Sequence, residues 1–566
     1  MINSRPNIYF RFIIILLFTF ILSLLFYRNY SLYPSVMGDE YINSIFSKNT
    51  NFKDMLIPSY VYFYFYKISY VCDSDYLNCA RILNLLFFVF GIFFIYLLSI
   101  KFANRNTSKI IFILLLLSPF NVYTAYFIAE SMFFCFIWLT FYLTFTLTIN
   151  KYYYFFIGFL LSICSLIKPH AIFFIPVFVV YFYVLKKNIS KTLLNCSYFI
   201  LSFFFIKLII SILTDVEFSI FGEYYNKDTR RYIEITFSDL VLILKYSIIN
   251  LFGIASFLLI VFSLPILILI QNSIIYFKKL KHDYFDSFSI FVLIIFTFIT
   301  IIYSVFNGFS ANYHMLEKLD ESPFRINNRY YFFIFPLLLI IFLKEFSIMK
   351  KKKIKSKLIK IVSIIFILTL VYFSMNFYES YHLVDAPFYR GLTYNKNFFY
   401  LSVVFSILLI ILYNYKKKES LRIYLFIFLP IIFIISSIPI NKEILFYKTP
   451  TKSNQIGNYL NEYFKSKNND SFLIINIDEN KVEPLDKFKL IMSFDKKNIA
   501  ITEIKSSLIS EDNINKDLIL KYSKKKYWER NINTIKYNHN ILIINKINEL
   551  TIFYMESNTN LIKRIY

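Results

Sequence analysis

Two adjacent carboxylates, Asp39 and Glu40, lie in residues 35–41, directly after the first apolar stretch of the chain. Carboxylates in such a position can remove a proton from an acceptor hydroxyl or bind a divalent metal ion. A solvated acidic pair in a loop is the plain alternative. Residue type alone does not separate the two, so the surrounding sequence has to decide.

Glu130 is a further acidic candidate, because it stands between two apolar stretches with almost no loop around it. Ionisable groups at membrane depth are costly and usually face a cavity or a partner. A solvated place at the end of a span is the alternative. Lys168 precedes Pro169, which cannot continue a regular helix. The lysine can therefore bind a phosphate where the chain reverses, or simply extend its ammonium to water.

The composition excludes a soluble protein. Of the 566 residues, 57% are hydrophobic, 21% are aromatic and only 17% are charged. Apolar runs of about 20 residues recur, and each can cross a hydrocarbon core about 30 Å thick. We predict an α-helical polytopic membrane protein with about thirteen transmembrane helices.

The net charge of +25 does not indicate a nucleic-acid-binding protein, because the basic residues form clusters between apolar runs. Examples are residues 278–281, 350–360 and 416–422. Such clusters mark cytoplasmic loops. Arg5 and Arg11 precede an apolar run without a cleavage site, which predicts an uncleaved signal anchor with a cytoplasmic N-terminus. The first long loop, residues 28–80, and the C-terminus then lie outside the cell membrane.

The composition changes at about residue 441, which separates two predicted domains. Residues 1–440 form the transmembrane domain, whose first outer loop carries the acidic pair. Residues 441–566 are rich in Asn, Lys, Asp and Glu and predict a small extracytoplasmic soluble α/β domain without a catalytic motif. Its predicted elements are an amphipathic helix at 451–465 and strands at 472–477, 541–544 and 550–554.

The first outer loop has two further features. The aromatic stretch 60–66 is too short to span and predicts a helix in the membrane interface, or else a buried connector. Cys72 and Cys79 flank a polar turn on the predicted outer side, where a disulfide can form. Two cysteines alone leave that pairing open.

Six short motifs of this chain occur in the same order in one known class of enzymes. They are Gly38-Asp39-Glu40, Pro58 before the aromatic helix, Arg81 at the start of the second span, Ser118-Pro119 with Glu130, Gly158 through Lys168-Pro169, and Arg329-Tyr330-Tyr331. In this order they resemble the GT-C class of membrane glycosyltransferases, in particular the protein O-mannosyltransferase and aminoarabinose transferase group. This chain has Ile57-Pro58-Ser59 where many relatives have His-Pro-Pro, and Glu130 where Asp is common.

The resemblance implies a donor, a reaction and a set of site residues. The donor is a sugar on a polyprenyl phosphate, and an inverting displacement moves it to a hydroxyl of a lipid, polysaccharide or protein. Asp39 is the expected base, with Glu40 or Glu130 orienting the acceptor or holding a divalent metal ion. The cations expected to bind the donor phosphate are Lys168, Arg81, Arg325 and Arg329.

Two other functions fit a membrane protein with such charges. A transporter or flippase of lipid-linked sugars would line its path with ionisable groups, but it would carry them in matched halves of the chain. An O-antigen ligase or polysaccharide polymerase depends on a large later outer loop, whereas the longest predicted outer loop here comes first. The sequence names neither the sugar, a hexose or a pentose, nor the acceptor.

Overall fold

The computed structural model describes the chain except for a set of short segments and one longer one. These are residues 1–7, 35–36, 49–56, 187, 217–235, 279–283, 317–327, 349–356, 377, 379–380, 465–470, 478–488, 491, 495–497, 505–539, 546–550, 556–561 and 565–566.

Helices make up most of the described chain. In chain order they are α1 Ile8–Asn29, α2 Met37–Lys48, α3 Tyr60–Tyr66, α4 Tyr76–Phe102, α5 Arg105–Leu117, α6 Glu130–Thr144, α7 Lys151–Ile167, α8 Phe174–Lys186, α9 Ile189–Thr214, α10 Phe237–Lys278, α11 Tyr284–Leu316, α12 Phe335–Ile348, α13 Lys357–Asn376, α14 Pro387–Thr393, α15 Lys396–Tyr415, α16 Lys417–Ile423, α17 Leu429–Phe446 and α18 Lys452–Tyr463. Short 3-10 segments and one π-helical turn join some of them: Lys67–Asp75, Pro119–Ala125, Pro169–Phe173, Asn328–Tyr330, Phe332–Ile334 and the π-helical Tyr424–Phe428.

The chain divides into two compact units. The first comprises Met1–Tyr30 and Phe46–Ile444, and the second comprises Ser31–Ile45 and Leu445–Tyr566. The sequence predicted a change of domain at about residue 441, but not that a segment near the N-terminus groups with the C-terminal part. Asp39 therefore belongs to the second unit.

Eight helices of the described chain are long and apolar enough to cross a membrane, or nine if the bent pair Arg105–Leu117 and Pro119–Ala125 is one span. The chain is thus a multi-pass membrane protein. The prediction of about thirteen spans is not confirmed, because polar residues and prolines shorten or bend several apolar runs. For example, α6 has 15 residues, and the bent pair turns by 52°. The membrane side of each loop stays a prediction.

Asparagine residues begin four of the helices. The side chains of Asn104, Asn150, Asn188 and Asn395 each accept a hydrogen bond from a backbone N–H in the first turn of α5, α7, α9 and α15. The first N–H groups of a helix have no partner within it, and a side-chain oxygen just before the helix supplies one. The polar residues between apolar runs thereby fix where these helices start.

α7 and α9 approach each other closely at Gly158. A Cβ atom at this position would lie 2.2 Å from the backbone oxygen of Phe199, so a larger residue would push the helices apart. Glycine is suited to such a close backbone approach. Gly158 therefore has a structural role: it fixes the position of the helix that ends just before Lys168.

The first outer loop contains the predicted short helix and a disulfide. In α3, Tyr62, Phe63 and Tyr66 are buried, whereas Tyr64 is exposed. The helix thus packs on one face and leaves the other open. Cys72 and Cys79 form a disulfide with a Cα–Cα distance of 6.5 Å, which settles the question that the sequence left open.

A five-stranded sheet lies in the second unit. Its strands are β1 Ser471–Ile477, β2 Asn498–Ile504, β3 Asn540–Asn545, β4 Thr551–Met555 and β5 Ile562–Arg564, in the order β2-β1-β3-β4-β5. β1 pairs in parallel with β2 and β3, whereas β4 is antiparallel to both β3 and β5. The strands β1, β3 and β4 cover the three segments predicted as strands. An extracytoplasmic soluble domain stays a prediction.

Candidate functional site

Lys168 lies directly after α7, where the helix stops. Its backbone is extended, with φ −144° and ψ 116°, and its N–H donates to the carbonyl oxygen of Cys164. Pro169 explains the break, because the residue before a proline is disfavoured in the α-helical region. The lysine is only 8% exposed, so its ammonium is held inside the protein and does not extend to solvent.

Glu130 is the partner of this lysine. It is the first residue of α6 and is 4% exposed. Its Oε1 accepts a hydrogen bond from Lys168 Nζ at 2.8 Å. The N-terminus of a helix suits a carboxylate because the helix dipole is positive there. Burying an ion pair costs desolvation energy that the mutual attraction offsets only in part, so stability alone does not explain the pair.

Arg329 adds a second cation to the same carboxylate. Its Nε lies 3.8 Å from Glu130 Oε1 and 3.6 Å from Asp385 Oδ1. Its backbone N–H donates to the carbonyl oxygen of Asp385 at 2.9 Å. Asp385 therefore faces Arg329 with both its main chain and its side chain. The largely exposed His382 stands beside Asp385, with Nδ1 3.9 Å from Oδ2.

Aromatic packing ties the segment after Arg329 to α6. The ring of Phe332 stacks on Phe134 with a centroid distance of 5.4 Å, and Phe333 meets Phe133 edge to face at 5.6 Å. Both contacts are with the helix whose first residue is the buried carboxylate. The arginine and that carboxylate are thus carried by elements packed against each other.

His170 lies in the 3-10 turn that follows Lys168. Its ring stacks on Tyr330 with a centroid distance of 4.6 Å and an interplanar angle of 22°. Burial lowers the pKa of His170 well below its usual value, and the positive charges of Lys168 and Arg329 lower it further. His170 is therefore neutral near pH 7 and adds an uncharged ring to the cluster.

Arg81, a predicted phosphate ligand, has different neighbours. It lies inside α4, which begins at Tyr76, and not at the start of a span. Its Nε donates to the carbonyl oxygen of Ala125 at 2.9 Å. It also lines a small cavity together with Asn29 and Asn78. A role for Arg81 in phosphate binding stays a prediction.

The structure leaves three further predicted residues untested. Asp39 and Glu40 lie in the first turn of α2, in the second unit, with Glu40 buried and Asp39 half-buried. Arg325 is outside the described residues. Their roles as base, orienting group and phosphate ligand stay predictions.

The sequence analysis gave no role to Asp385, His170 or Tyr330. Asp385 lies in the loop between α13 and α14, where a carboxylate is ordinary and gives no signal. Tyr330 was part of the motif Arg329-Tyr330-Tyr331, but the sequence gave its ring no role. A contact between residues 330 and 168 depends on tertiary structure, which no local pattern reports.

A divalent metal ion is not well suited to Glu130. The carboxylate already faces Lys168 and Arg329, and two cations would repel a third. Among the residues that the structure describes, no three His, Cys, Asp or Glu side chains form a group that could hold a metal ion.

The cluster combines two cations, Lys168 and Arg329, with two carboxylates, Glu130 and Asp385. Lys168 and Arg329 converge on one side of Glu130, and both carry N–H donors that suit phosphate oxygens.

Comparison with known proteins gives a fold-level likeness. No family model and no curated protein sequence matches this chain. Two solved structures are similar to it. Both are ArnT from Cupriavidus metallidurans, in the apo state and bound to undecaprenyl phosphate. Each has a TM-score of 0.46 and covers 94% of this chain and 92% of its own, at 11% and 12% identity. A likeness of this degree assigns no residue role, so the function rests on the side chains described above.

Proposed function

We propose that this chain is a glycosyltransferase that moves a sugar from a polyprenyl-phosphate carrier to an acceptor hydroxyl on the outer face of the membrane. The observation that carries the proposal is the meeting of Glu130, Lys168 and Arg329 in one buried cluster. These residues are far apart in the sequence and come from three separate elements. The chemistry of the donor is what would require them together.

The leaving group of this reaction is a lipid phosphate. Nucleotide sugars are absent outside the cell, so an activated sugar has to arrive on a membrane carrier. As the glycosidic bond breaks, negative charge grows on the phosphate oxygens. Preorganised cations at that place stabilise the transition state more than they stabilise the substrate. Lys168 and Arg329 supply such cations, and Glu130 orients them before the donor binds.

The acceptor hydroxyl loses its proton as it attacks the sugar. Glu130 already bonds Lys168, so Asp39 is the proposed general base and Glu40 the group that orients the acceptor. A single displacement inverts the anomeric carbon. A lipid, a polysaccharide and a protein are all proposed acceptors, and the transferred sugar is a hexose or a pentose.

Removal of the lysine charge tests the donor site. We expect Lys168→Met to weaken the binding of undecaprenyl phosphate to the purified protein about 10- to 100-fold, because a hydrogen bond to a charged group contributes about 1.5–3 kcal/mol. Lys168→Arg keeps a cation and should lose less binding affinity than Lys168→Met. Binding is measured by native mass spectrometry, and folding by thermal melting in detergent.

Lys417→Met is the matched control, because Lys417 pairs with the carboxylate of Glu345 in the same unit. It should leave donor binding unchanged. Equal binding by wild type, Lys168→Met and Arg329→Met would reject the donor site. If donor binding falls as expected, mass spectrometry of surface glycans and lipids, with and without the gene, should identify the sugar and the acceptor.

A further inference from the structure

Lys168 and Arg329 share one aromatic ring as well as one carboxylate. Lys168 Nζ lies 4.5 Å from the ring centroid of Tyr330, and Arg329 Cζ lies 5.0 Å from it. Both distances are within the range of about 6 Å in which a cation is attracted to a ring face. Arg329 Nη2 also donates to the hydroxyl oxygen of Tyr330 at 2.9 Å.

The ring of Tyr330 is itself held in place. His170 stacks on it at 4.6 Å, and Tyr303 of α11 stacks on it at 5.6 Å with an interplanar angle of 6°. These two rings come from different elements, and their own centroids lie 6.3 Å apart, so His170, Tyr303 and Tyr330 form one aromatic group that joins the turn after α7 to the helix α11. A neutral His170 suits this place, because a charged ring would repel the two cations.

The cations need such a support when the donor arrives. Lys168 donates a hydrogen bond to Glu130 in this structure, and its ammonium has to turn, or exchange that contact, to reach a phosphate oxygen. A free lysine side chain has many rotamers, and a change of partner would otherwise let the ammonium move among them. Attraction to a ring face uses none of the N–H donors, so the ring can hold the cation while its donors change partner.

We propose that Tyr330 is a positioning residue: its ring keeps Lys168 and Arg329 at the spacing that the donor phosphate requires. The proposal rests on the proposed function, since it concerns the same donor site. The ring is the essential part, and the hydroxyl oriented by Arg329 is secondary.

Two substitutions separate the ring from ordinary packing. Tyr330→Leu removes the ring face but leaves an apolar side chain, and it should weaken binding of undecaprenyl phosphate about 5- to 30-fold. Tyr330→Phe keeps the ring and should bind within about threefold of wild type. Tyr413→Leu is the matched control, because Lys417 Nζ lies 5.5 Å over the Tyr413 ring elsewhere in the same unit. It should not change binding.

A double-mutant cycle shows whether Tyr330 acts through the lysine. If it does, Tyr330→Leu should lose part of its effect on binding in the Lys168→Met background, where the ring can position only Arg329. Independent structural damage would instead add in full to the loss caused by Lys168→Met. The proposal is overturned if the losses of binding free energy caused by the two substitutions add in full. Wild-type binding by Tyr330→Leu would also overturn it, as would binding by Tyr330→Phe as weak as that of Tyr330→Leu.

The outcomes also separate this inference from the proposed function. If Lys168→Met and Arg329→Met bind undecaprenyl phosphate as wild type does, the donor site itself is rejected. If those two variants bind weakly while Tyr330→Leu binds normally, the donor site stands and the role of Tyr330 is rejected. Thermal melting of each variant in detergent identifies any loss that comes from misfolding.

Discussion

At the scale of single residues, the cluster separates two kinds of carboxylate. Glu130 accepts a hydrogen bond from Lys168 and faces Arg329. A carboxylate in that position orients cations and is poorly placed to take a proton at the same time. The proposed base is therefore a different residue, Asp39, whose role the sequence suggested and the structure leaves untested.

We expect Asp39→Asn to lower turnover about 100- to 10,000-fold. Donor binding should change little, because a general base acts only when the acceptor attacks and contributes nothing to ground-state affinity. The measurement is sugar transfer together with undecaprenyl phosphate affinity, in the same purified protein. Near-normal turnover would make Asp39 an ordinary acidic residue at the start of α2.

Glu40→Gln is the natural comparison, since both carboxylates lie in the first turn of α2. A carboxylate there favours the helix through its dipole, so either substitution can lower stability. Only the loss of the base should abolish transfer in protein that melts as wild type does. Equal turnover losses in Asp39→Asn and Glu40→Gln would contradict the assignment of one base.

At the same scale, the sequence predicted part of the cluster and missed the rest. Glu130 and Lys168 could be found because an ionisable group between apolar stretches with almost no loop is costly, and Arg329 could be found because it belongs to the motif Arg329-Tyr330-Tyr331. Tyr330 could not, because the chain contains 48 tyrosines and a stacking partner has no local signal. Asp385 lies in a polar loop, where a carboxylate is ordinary.

At the scale of helices and turns, Arg28 joins three elements near the end of α1. Its side chain donates to the Asn121 side chain and carbonyl oxygen, to Thr124 Oγ1 at 3.0 Å and to Asn441 Oδ1 at 2.8 Å. Asn121 and Thr124 lie in the 3-10 turn Pro119–Ala125, and Asn441 lies in α17. One buried guanidinium thus connects α1, the bent span and α17.

We expect Arg28→Met to destabilise the protein by about 2 kcal/mol or more, because it leaves several buried acceptors without donors. Arg28→Lys keeps the charge but has fewer donors and no fork geometry, so its stability should lie between that of wild type and that of Arg28→Met. The measurement is thermal melting in detergent, with the exposed Arg422→Met as control. Melting of Arg28→Met at the wild-type temperature would show that the network contributes nothing.

Helix ends and strands were predicted correctly where the residue type restricts the backbone conformation. Pro169 marks the end of α7, and three predicted strands are present in the sheet. The number of spans was not confirmed, because an apolar run does not show where a helix bends. We predicted that the third span reaches outward through Ser118-Pro119-Phe120, but Pro119–Ala125 forms a 3-10 turn bent by 52° from α5.

At the scale of the whole molecule, the remaining question is which loops share a side of the membrane. The distribution of basic clusters predicts that residues near Lys168, Arg329 and Asp385 lie outside and that the cluster at 416–422 lies inside. The proposed function requires this orientation, because a lipid-borne donor and an extracytoplasmic acceptor have to reach one site.

Single cysteines at exposed positions test this orientation in intact cells. We expect Lys67→Cys, in the first outer loop, and His382→Cys, beside Asp385, to react with a membrane-impermeant maleimide. Lys416→Cys should react only after permeabilisation, because its basic cluster is held inside by the positive-inside rule. All three positions are exposed in the structure. The native cysteines give little background, since Cys72 and Cys79 form a disulfide and the other three are buried.

Labelling of Lys416→Cys in intact cells, with His382→Cys protected, would reverse the orientation. Opposite behaviour of Lys67→Cys and His382→Cys would separate the first outer loop from the donor cluster and remove Asp39 as its base.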